Sequence, residues 1–348
     1  MEEGQRIRML QCPDHPVDVV LDTDTYNEVD DQFALAYLLG NQDRLRTQAV
    51  YAAPFLNEKA DTPKEGMEKS YQEILNILSL ADTEKGKIPV FKGAERFLED
   101  ERTPVISAAS EDLVRRAMEH SQENPLYVVG IAAATNIASA ILQEPAITER
   151  MVVVWLGGSA LHCQGMEEFN LAEDVFAARI LFDSGVPLVQ LPCWGVVESF
   201  SLSRPEMENY LTGKNALADY LAGYAIREVE AWKPDMAWAK VIWDVTAVAW
   251  LLNDGQRFMN DRIMPCPKII SASEYALPDG VRPSRRDMDY GRSYGYALSD
   301  EARPFCRDRN YGIPYGDTFS EERHSMKYVY RIERDALMTD LIMKLCKK

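Results

Sequence analysis

Five short runs in the first two-thirds of the chain are apolar almost without a break: "VDVVLD" (17–22), "TQAVYAA" (47–53), "LYVVGIA" (126–132), "RMVVVWLGG" (150–158) and "PLVQLPC" (187–193). A strand with one face in water alternates apolar and polar residues, whereas a strand apolar throughout is buried on both faces. Between the runs lie stretches of helical period: "DQFALAYLLG" (31–40) with Gly40 as its stop, "GMEKSYQEILNILSLA" (66–81), "SEDLVRRAMEHSQ" (110–122) with Ser110 as its expected cap, "TNIASAILQ" (135–143) and "AEDVFAARILFDSG" (172–185). This alternation predicts an α/β fold, an open and mostly parallel, Rossmann-like sheet with helices on both faces and right-handed crossovers. The pattern is helical from Arg204 to about Leu252, and "MKYVYRIERDALMTDLIMKL" (326–345) reads as a closing strand and helix. Residues 278–325, rich in Tyr, Arg, Asp, Gly and Pro, read as a long irregular excursion rather than a domain. No internal repeat or low-complexity linker divides the chain, so 1–348 is expected to be one domain.

The formal net charge of −17 argues against nucleic acid or an anionic membrane as partner, since both demand clustered Lys and Arg. It suits a small neutral ligand or a cation, and it is also an ordinary charge for a soluble protein. The six cysteines are scattered, none in a CxxC pair, and read as reduced thiols of a cytoplasmic protein. The opening "MEEGQRIRML" has no apolar core of signal-peptide length, and no apolar run approaches transmembrane length. Four histidines with no HExxH and no close pair speak against zinc.

In open parallel sheets ligands bind beyond the carboxyl ends of the strands. The polar residues of this chain gather at those points: an acid cluster after the first run, "PFLN" after the second, "TN" after "VVGIAAA", and "SALHCQGMEEFN" after "VVVWLGG". The acid cluster, "LDTDTYNEVDD" (21–31), sets Asp22, Asp24, Glu28, Asp30 and Asp31 between a strand and a helix. A helix cap explains Asp30 or Asp31. It does not explain Asp22 and Asp24 at a strand end, where crowded carboxylates repel each other and lose hydration unless a cation joins them. Carboxylates without Cys or His suit a hard ion, Ca²⁺ or Mg²⁺. "VVLDTDT" also fits the start of a haloacid-dehalogenase-type phosphatase with Asp22 as nucleophile, but no later acidic pair follows an apolar run.

Strand, DxD, short loop, DD and helix together resemble the signature of the nucleoside hydrolases, the inosine–uridine-preferring family. "ATNIASAI" (134–141), "LGG" followed by "EEFNLAEDVFAARILFDSG" (167–185), "WDVTAVAWLL" (243–252) and the closing "YRIERDALMTDLI" are similar to further family segments in the same order. The resemblance implies one α/β domain, Ca²⁺ at the strand ends, and hydrolysis of the N-glycosidic bond of a nucleoside to ribose and free base, as in nucleoside salvage. It implies that Asp24 is metal ligand and general base, that Asp31 and Asp244 are metal ligands, and that Thr135 is a backbone-carbonyl ligand. By the same resemblance, Asp30, Glu168 and Asn170 hold sugar hydroxyls. A homodimer or homotetramer is a family expectation as well.

The chain departs from the family pattern in four places. "DTYNEVDD" is two residues longer than DPGxDD and lacks its Pro-Gly, which puts Asn27 and Glu28 in an altered turn. Trp243 stands where the family has a His that helps the leaving base; an indole cannot act as a general acid but can stack on a base. His162 or Gln164 takes the place of a family Asn, and Asn57 is the nearest candidate for another. Arg285, Arg286, Tyr290, Tyr294 and Tyr296 in the excursion are candidates for a lid or a subunit contact. The readings carried forward are a calcium-dependent N-ribohydrolase and, in second place, a non-catalytic ribosyl- or carbohydrate-binding relative that keeps the metal cradle.

Overall fold

The computed structural model describes residues 1–82, 87–163, 165–278, 318–319 and 323–346. Its centre is an eight-stranded sheet in the order β3-β2-β1-β4-β5-β6-β13-β9. The strands in chain order are β1 (Val17–Thr23), β2 (Leu45–Ala52), β3 (Val90–Lys92), β4 (Leu126–Gly130), β5 (Met151–Leu156), β6 (Leu188–Leu191), β9 (Met259–Pro265) and β13 (Ser325–Ile332). Outside it, β7 (Ser201–Ser203) pairs antiparallel with β8 (Ala239–Val241), and β10 (Lys268–Ser271), β11 (Glu274–Pro278) and β12 (Thr318–Phe319) form a small third sheet. All pairings in the main sheet are parallel except β13 with β9. The open, mostly parallel α/β architecture read from the apolar runs is therefore the one observed.

The helices are α1 (Glu3–Met9), α2 (Val29–Leu39), α3 (Pro63–Leu80), α4 (Ala108–Met118), α5 (Thr135–Gln143), α6 (Phe169–Glu173), α7 (Val175–Asp183), α8 (Arg204–Tyr210), α9 (Ala216–Trp232), α10 (Val245–Trp250) and α11 (Arg334–Leu345). Successive residues of a strand point to opposite faces, and both faces are apolar here. Val19, Leu21, Val129 and Val154 pack with α2, α3, α9, α10 and α11 through side chains such as Phe33, Ile74, Leu221, Val248 and Leu341. Val20, Val128 and Val153 pack on the other side with α4, α5 and α7 through Leu113, Ile137, Leu181 and Phe182.

Three helical expectations are corrected. Helix α4 starts at Ala108, because Ser107 is its cap: Ser107 Oγ accepts from the Ser110 amide (3.2 Å) while Ser110 Oγ accepts from the Ser107 amide (3.0 Å), so Ser110 is the reciprocal partner. The stretch 172–185 is two helices, broken at Asp174 (φ −143°), whose carboxylate caps α7 through the Ala177 amide at 2.9 Å. The region from Arg204 to Leu252 is helical in α8, α9 and α10 but is crossed by β8. Most of the excursion, 279–317 and 320–322, lies outside the described residues, and the candidates Arg285, Arg286, Tyr290, Tyr294 and Tyr296 lie there with it; so does Gln164.

Strand order runs outward in one direction from β1 through β2 to β3, and in the other from β4 through β5 to β6. The switch lies between β1 and β4, which pair from Val19↔Tyr127 to Asp22↔Gly130. Chain leaving two neighbouring strand ends in opposite directions opens a crevice there, the usual ligand position in such sheets.

Candidate active site

A cavity of about 870 Å³ lies at this switch point. Its wall takes residues from the carboxyl end of each central strand: Asp24 after β1, Asn57 after β2, Ile131 after β4, Leu156 at the end of β5, and Cys193 and Trp194 after β6. Asp30 and Asp31 reach it from the first turn of α2, and Asp244 from the residue before α10. Helices α2 and α10 pack together, which brings these acids, more than two hundred residues apart in sequence, to one spot.

Asp30, Asp31 and Asp244 are buried and offer carboxylate oxygens that all lie within 4.8 Å of one another. Asp24 lines the same cavity, and its charge acts on both Asp31 and Asp244. Burial holds Asp24 up to about 8 and Asp30 up to about 6, and burial together with the neighbouring acids holds Asp31 and Asp244 well above the ordinary range. Thr23 Oγ1 donates to Asp31, and the first turn of α2 adds a favourable dipole, but neither supplies a full positive charge. Four buried acids on all-oxygen chemistry fit a hard divalent cation.

The altered turn organises this cluster. Asn27 donates to Asp24 Oδ2 (2.9 Å), accepts from Asn57 Nδ2 (2.6 Å) at its side chain and from Lys59 Nζ (2.7 Å) at its carbonyl. Asn57 therefore does reach the site, acting on Asp24 through Asn27. Glu28 forms an ion pair with Lys240 of β8, whose Nζ also stands 3.9 Å from Asp30 Oδ1.

The opposite wall is built on "EEFN". Glu168 caps α6, accepting from the amides of Asn170 (3.0 Å) and Leu171 (3.0 Å), and also takes the Gly158 amide (2.6 Å) and the Cys193 thiol (3.4 Å). Burial raises its carboxyl while these donors oppose the shift. Asn170 Nδ2 is held by the Leu156 carbonyl (3.1 Å), and both Glu168 and Asn170 line the cavity. Trp243 lines it as well, edge-to-face with Trp194 at 5.2 Å between ring centroids and 71° between planes. The exposed Trp232 at the end of α9 stands at the mouth.

Two expected residues are elsewhere. Thr135 opens α5, and its hydroxyl donates to Asp174 at 2.7 Å; it is not on the cavity wall, whereas Ile131, four residues earlier at the strand end, is. His162 packs beside Gly195, outside the lining. Asp22, the nucleophile of the phosphatase alternative, is wholly buried and not on the cavity lining; it accepts from Asn136 Nδ2 (2.8 Å), and burial raises its carboxyl to about 7. Sequence reasoning missed Lys240 and Trp194. Trp194 directly follows the run "PLVQLPC", where the strand-end rule points; Lys240 sits in a stretch with helical period and carries no such signal.

Comparison with known proteins gives a consistent family. The family profile described as "Inosine-uridine preferring nucleoside hydrolase" matches residues 19–278. The pyrimidine-specific ribonucleoside hydrolase RihA of Klebsiella pneumoniae is 25% identical over 245 residues, covering 61% of this chain and 76% of that protein. Among solved structures, the plant nucleoside hydrolase PpNRh1 superposes with a TM-score of 0.66 at 18% identity, over 96% of this chain and 100% of that one. The purine-preferring ribonucleoside hydrolase of Gardnerella vaginalis gives 0.60 at 19% identity, over 94% and 98%.

Proposed function

Because the chain belongs to the inosine-uridine preferring nucleoside hydrolase family and is thus an N-glycosyl hydrolase, we propose that it hydrolyses a ribonucleoside or related ribosyl compound to ribose and free base, with Ca²⁺ in the acid cluster. The observation that carries this reading is the convergence of Asp24, Asp30, Asp31 and Asp244 at the strand-order switch, on the wall of a cavity that admits a nucleoside.

Asp24, Asp31 and Asp244 would hold the ion, and the neutral oxygen expected of Thr135 falls instead to the Ile131 peptide at the cavity wall. When bound, such an ion orients a water and lowers its pKa. Asp24 is the general base: its carboxylate accepts a proton as the water oxygen bonds to the anomeric carbon. The bond from that carbon to the base nitrogen breaks, its electron pair leaving with the base, which takes a proton from solvent, while Asp24 returns its own proton to solvent. Asn27, pinned by Asn57 and Lys59, fixes the Asp24 carboxylate for that transfer. Asp30, Glu168 and Asn170 hold the sugar hydroxyls, and the surrounding carboxylates favour the positive charge that develops on the ribosyl group. Asp22 is not on the cavity lining, and the family match leaves no place for the phosphatase reading.

The test is release of free ribose from a panel of purine and pyrimidine nucleosides, with and without EDTA. Expected is release that EDTA abolishes and Ca²⁺ restores. Saturable binding without release is the outcome that establishes the non-catalytic relative instead. Both base classes belong in the panel, since the relatives' titles name pyrimidine and purine preferences alike.

Trp243 takes the place of a leaving-group acid by stacking on the base, backed by Trp194. Trp243→Ala is expected to raise KM about 5- to 100-fold, the range of one lost aromatic stack. Trp243→His is expected to shift the relative turnover of nucleosides with good and poor leaving bases. Unchanged kinetics of both variants on every substrate would remove this role.

One domain over 1–348, a cytoplasmic location and a homo-oligomer complete the proposal. The first is supported by β13, which returns from the far end of the chain to the central sheet. The second is supported by Cys12, Cys193, Cys266 and Cys346, which form no disulfide among the described residues. Among the described residues no helix is long and apolar enough to cross a membrane.

A further inference from the structure

Asp30 Oδ1 is buried and accepts no hydrogen bond from the described residues. Lys240 Nζ stands 3.9 Å from it, on the same cavity wall, too far for a direct hydrogen bond. The Lys240 side chain is only 15% exposed, and Glu28 holds its ammonium from the other side. An ammonium has three N–H donors and no acceptor; an ionised carboxylate oxygen only accepts. A group that fits between them must accept from one and donate to the other. A hydroxyl does both, and an oxygen about 2.8 Å from each atom spans the gap. A phosphate or carboxylate does not fit, because it would face Asp30 and Glu28 with like charge.

We propose that Lys240 is a specificity-determining residue that, paired with Asp30, reads one secondary hydroxyl of the ribose. The proposal rests on the ribosyl reading of the cavity. Glu28, in the longer turn, is the positioning residue that keeps the ammonium in place. Glu28 lies in the longer turn before α2 and Lys240 in the β7–β8 pair, both outside the central sheet.

The experiment compares wild type, Lys240→Met and Lys240→Gln on a ribonucleoside and its 2′-deoxy and 3′-deoxy forms, in the full-length protein with Ca²⁺. Lys240→Met is expected to lose about 10- to 100-fold in kcat/KM on the ribonucleoside, the usual range for a deleted charged hydrogen-bond partner. It is expected to lose less than about 3-fold on the one deoxy form that lacks the bridged hydroxyl. Lys240→Gln, which keeps a donor, is expected to recover part of the loss. Equal loss on all three substrates, or no loss on any, overturns the proposal. Lys240→Ala serves as a second variant with the same expectations should the Met variant not fold. If the wild type cleaves none of them, the hydrolase reading fails by itself. Titration with 1,4-anhydro-D-ribitol, which carries the hydroxyls without a base, then decides on Lys240. Affinity weakened about 10-fold or more by Lys240→Met supports the contact; unchanged affinity, or no binding to the wild type, overturns it.

Discussion

Asp24→Asn is expected to lower turnover by about 10³-fold or more and to leave the protein folded. The amide cannot take a proton from water at neutral pH, and it is a poorer ligand for a hard cation than a carboxylate. The fold is expected to survive because the native carboxylate is a burden on the cation-free protein: burial holds it up to about 8. An Asn in its place keeps an oxygen to accept from Asn27 Nδ2 and carries no charge that burial must desolvate. Turnover and thermal unfolding of the same preparation make the check. Wild-type turnover by a well-folded variant would take the base role from Asp24. Loss of turnover through unfolding would make Asp24 structural.

The central strands were legible because burial on both faces leaves a mark that composition alone carries: Val, Ile and Leu without alternation. The edge strand β9, "MNDRIMP", was not, because one flank is open and its residues are only partly buried. Strands of three residues such as β7 and β8 are too short to show a period, which let β8 pass as part of a helical stretch. The same logic divides the site. Asp24, Asp31 and Asp244 could be found because a carboxylate at the end of an apolar strand or the start of a buried helix is costly without a reason. Thr135 carries the motif's hydroxyl, but that hydroxyl serves Asp174, and the residue on the cavity wall is the apolar Ile131, which side-chain chemistry does not mark. Lys240 could not be read because a lone lysine in the apolar stretch "AWAKVIW" carries no ligand signal until the β7–β8 pair sets it 3.9 Å from Asp30.

The longer turn also gains a structural account. In "TYNEV" each of the two inner polar residues reaches a site carboxylate, Asn27 directly at Asp24 and Glu28 through Lys240 at Asp30. A rigid Pro-Gly turn fixes carboxylates by backbone geometry. Here side-chain hydrogen bonds from the loop after β2 and the ion pairs of Lys240 in β8 do that work, so the acid cluster depends on contacts far apart in sequence. Mutations in those supports are therefore expected to act on catalysis more than on overall stability.

Divalent cation and pH are expected to act on stability together, and in opposite directions. In the cation-free protein the acid cluster has folded-state pKa values raised above those of the unfolded chain, about 8 for Asp24 and about 6 for Asp30. A raised carboxyl favours the folded state below its unfolded pKa, near 4, and that contribution is lost as pH rises through the folded value. Cation-free protein is thus expected to lose stability between pH 4 and pH 8. Ca²⁺ needs the ionised carboxylates, so it binds more tightly as pH rises and restores what deprotonation removes. At a free concentration 100 times Kd it contributes about 2.7 kcal/mol, an increase of several degrees in Tm. Thermal unfolding at pH 5 and pH 8, each with EDTA and with Ca²⁺, gives the check. The increase on adding Ca²⁺ is expected to be several times larger at pH 8, and Asp244→Asn is expected to remove most of it. An increase independent of pH and of Asp244 would place the cation away from this cluster, and with it the explanation for four buried acids at one strand-order switch.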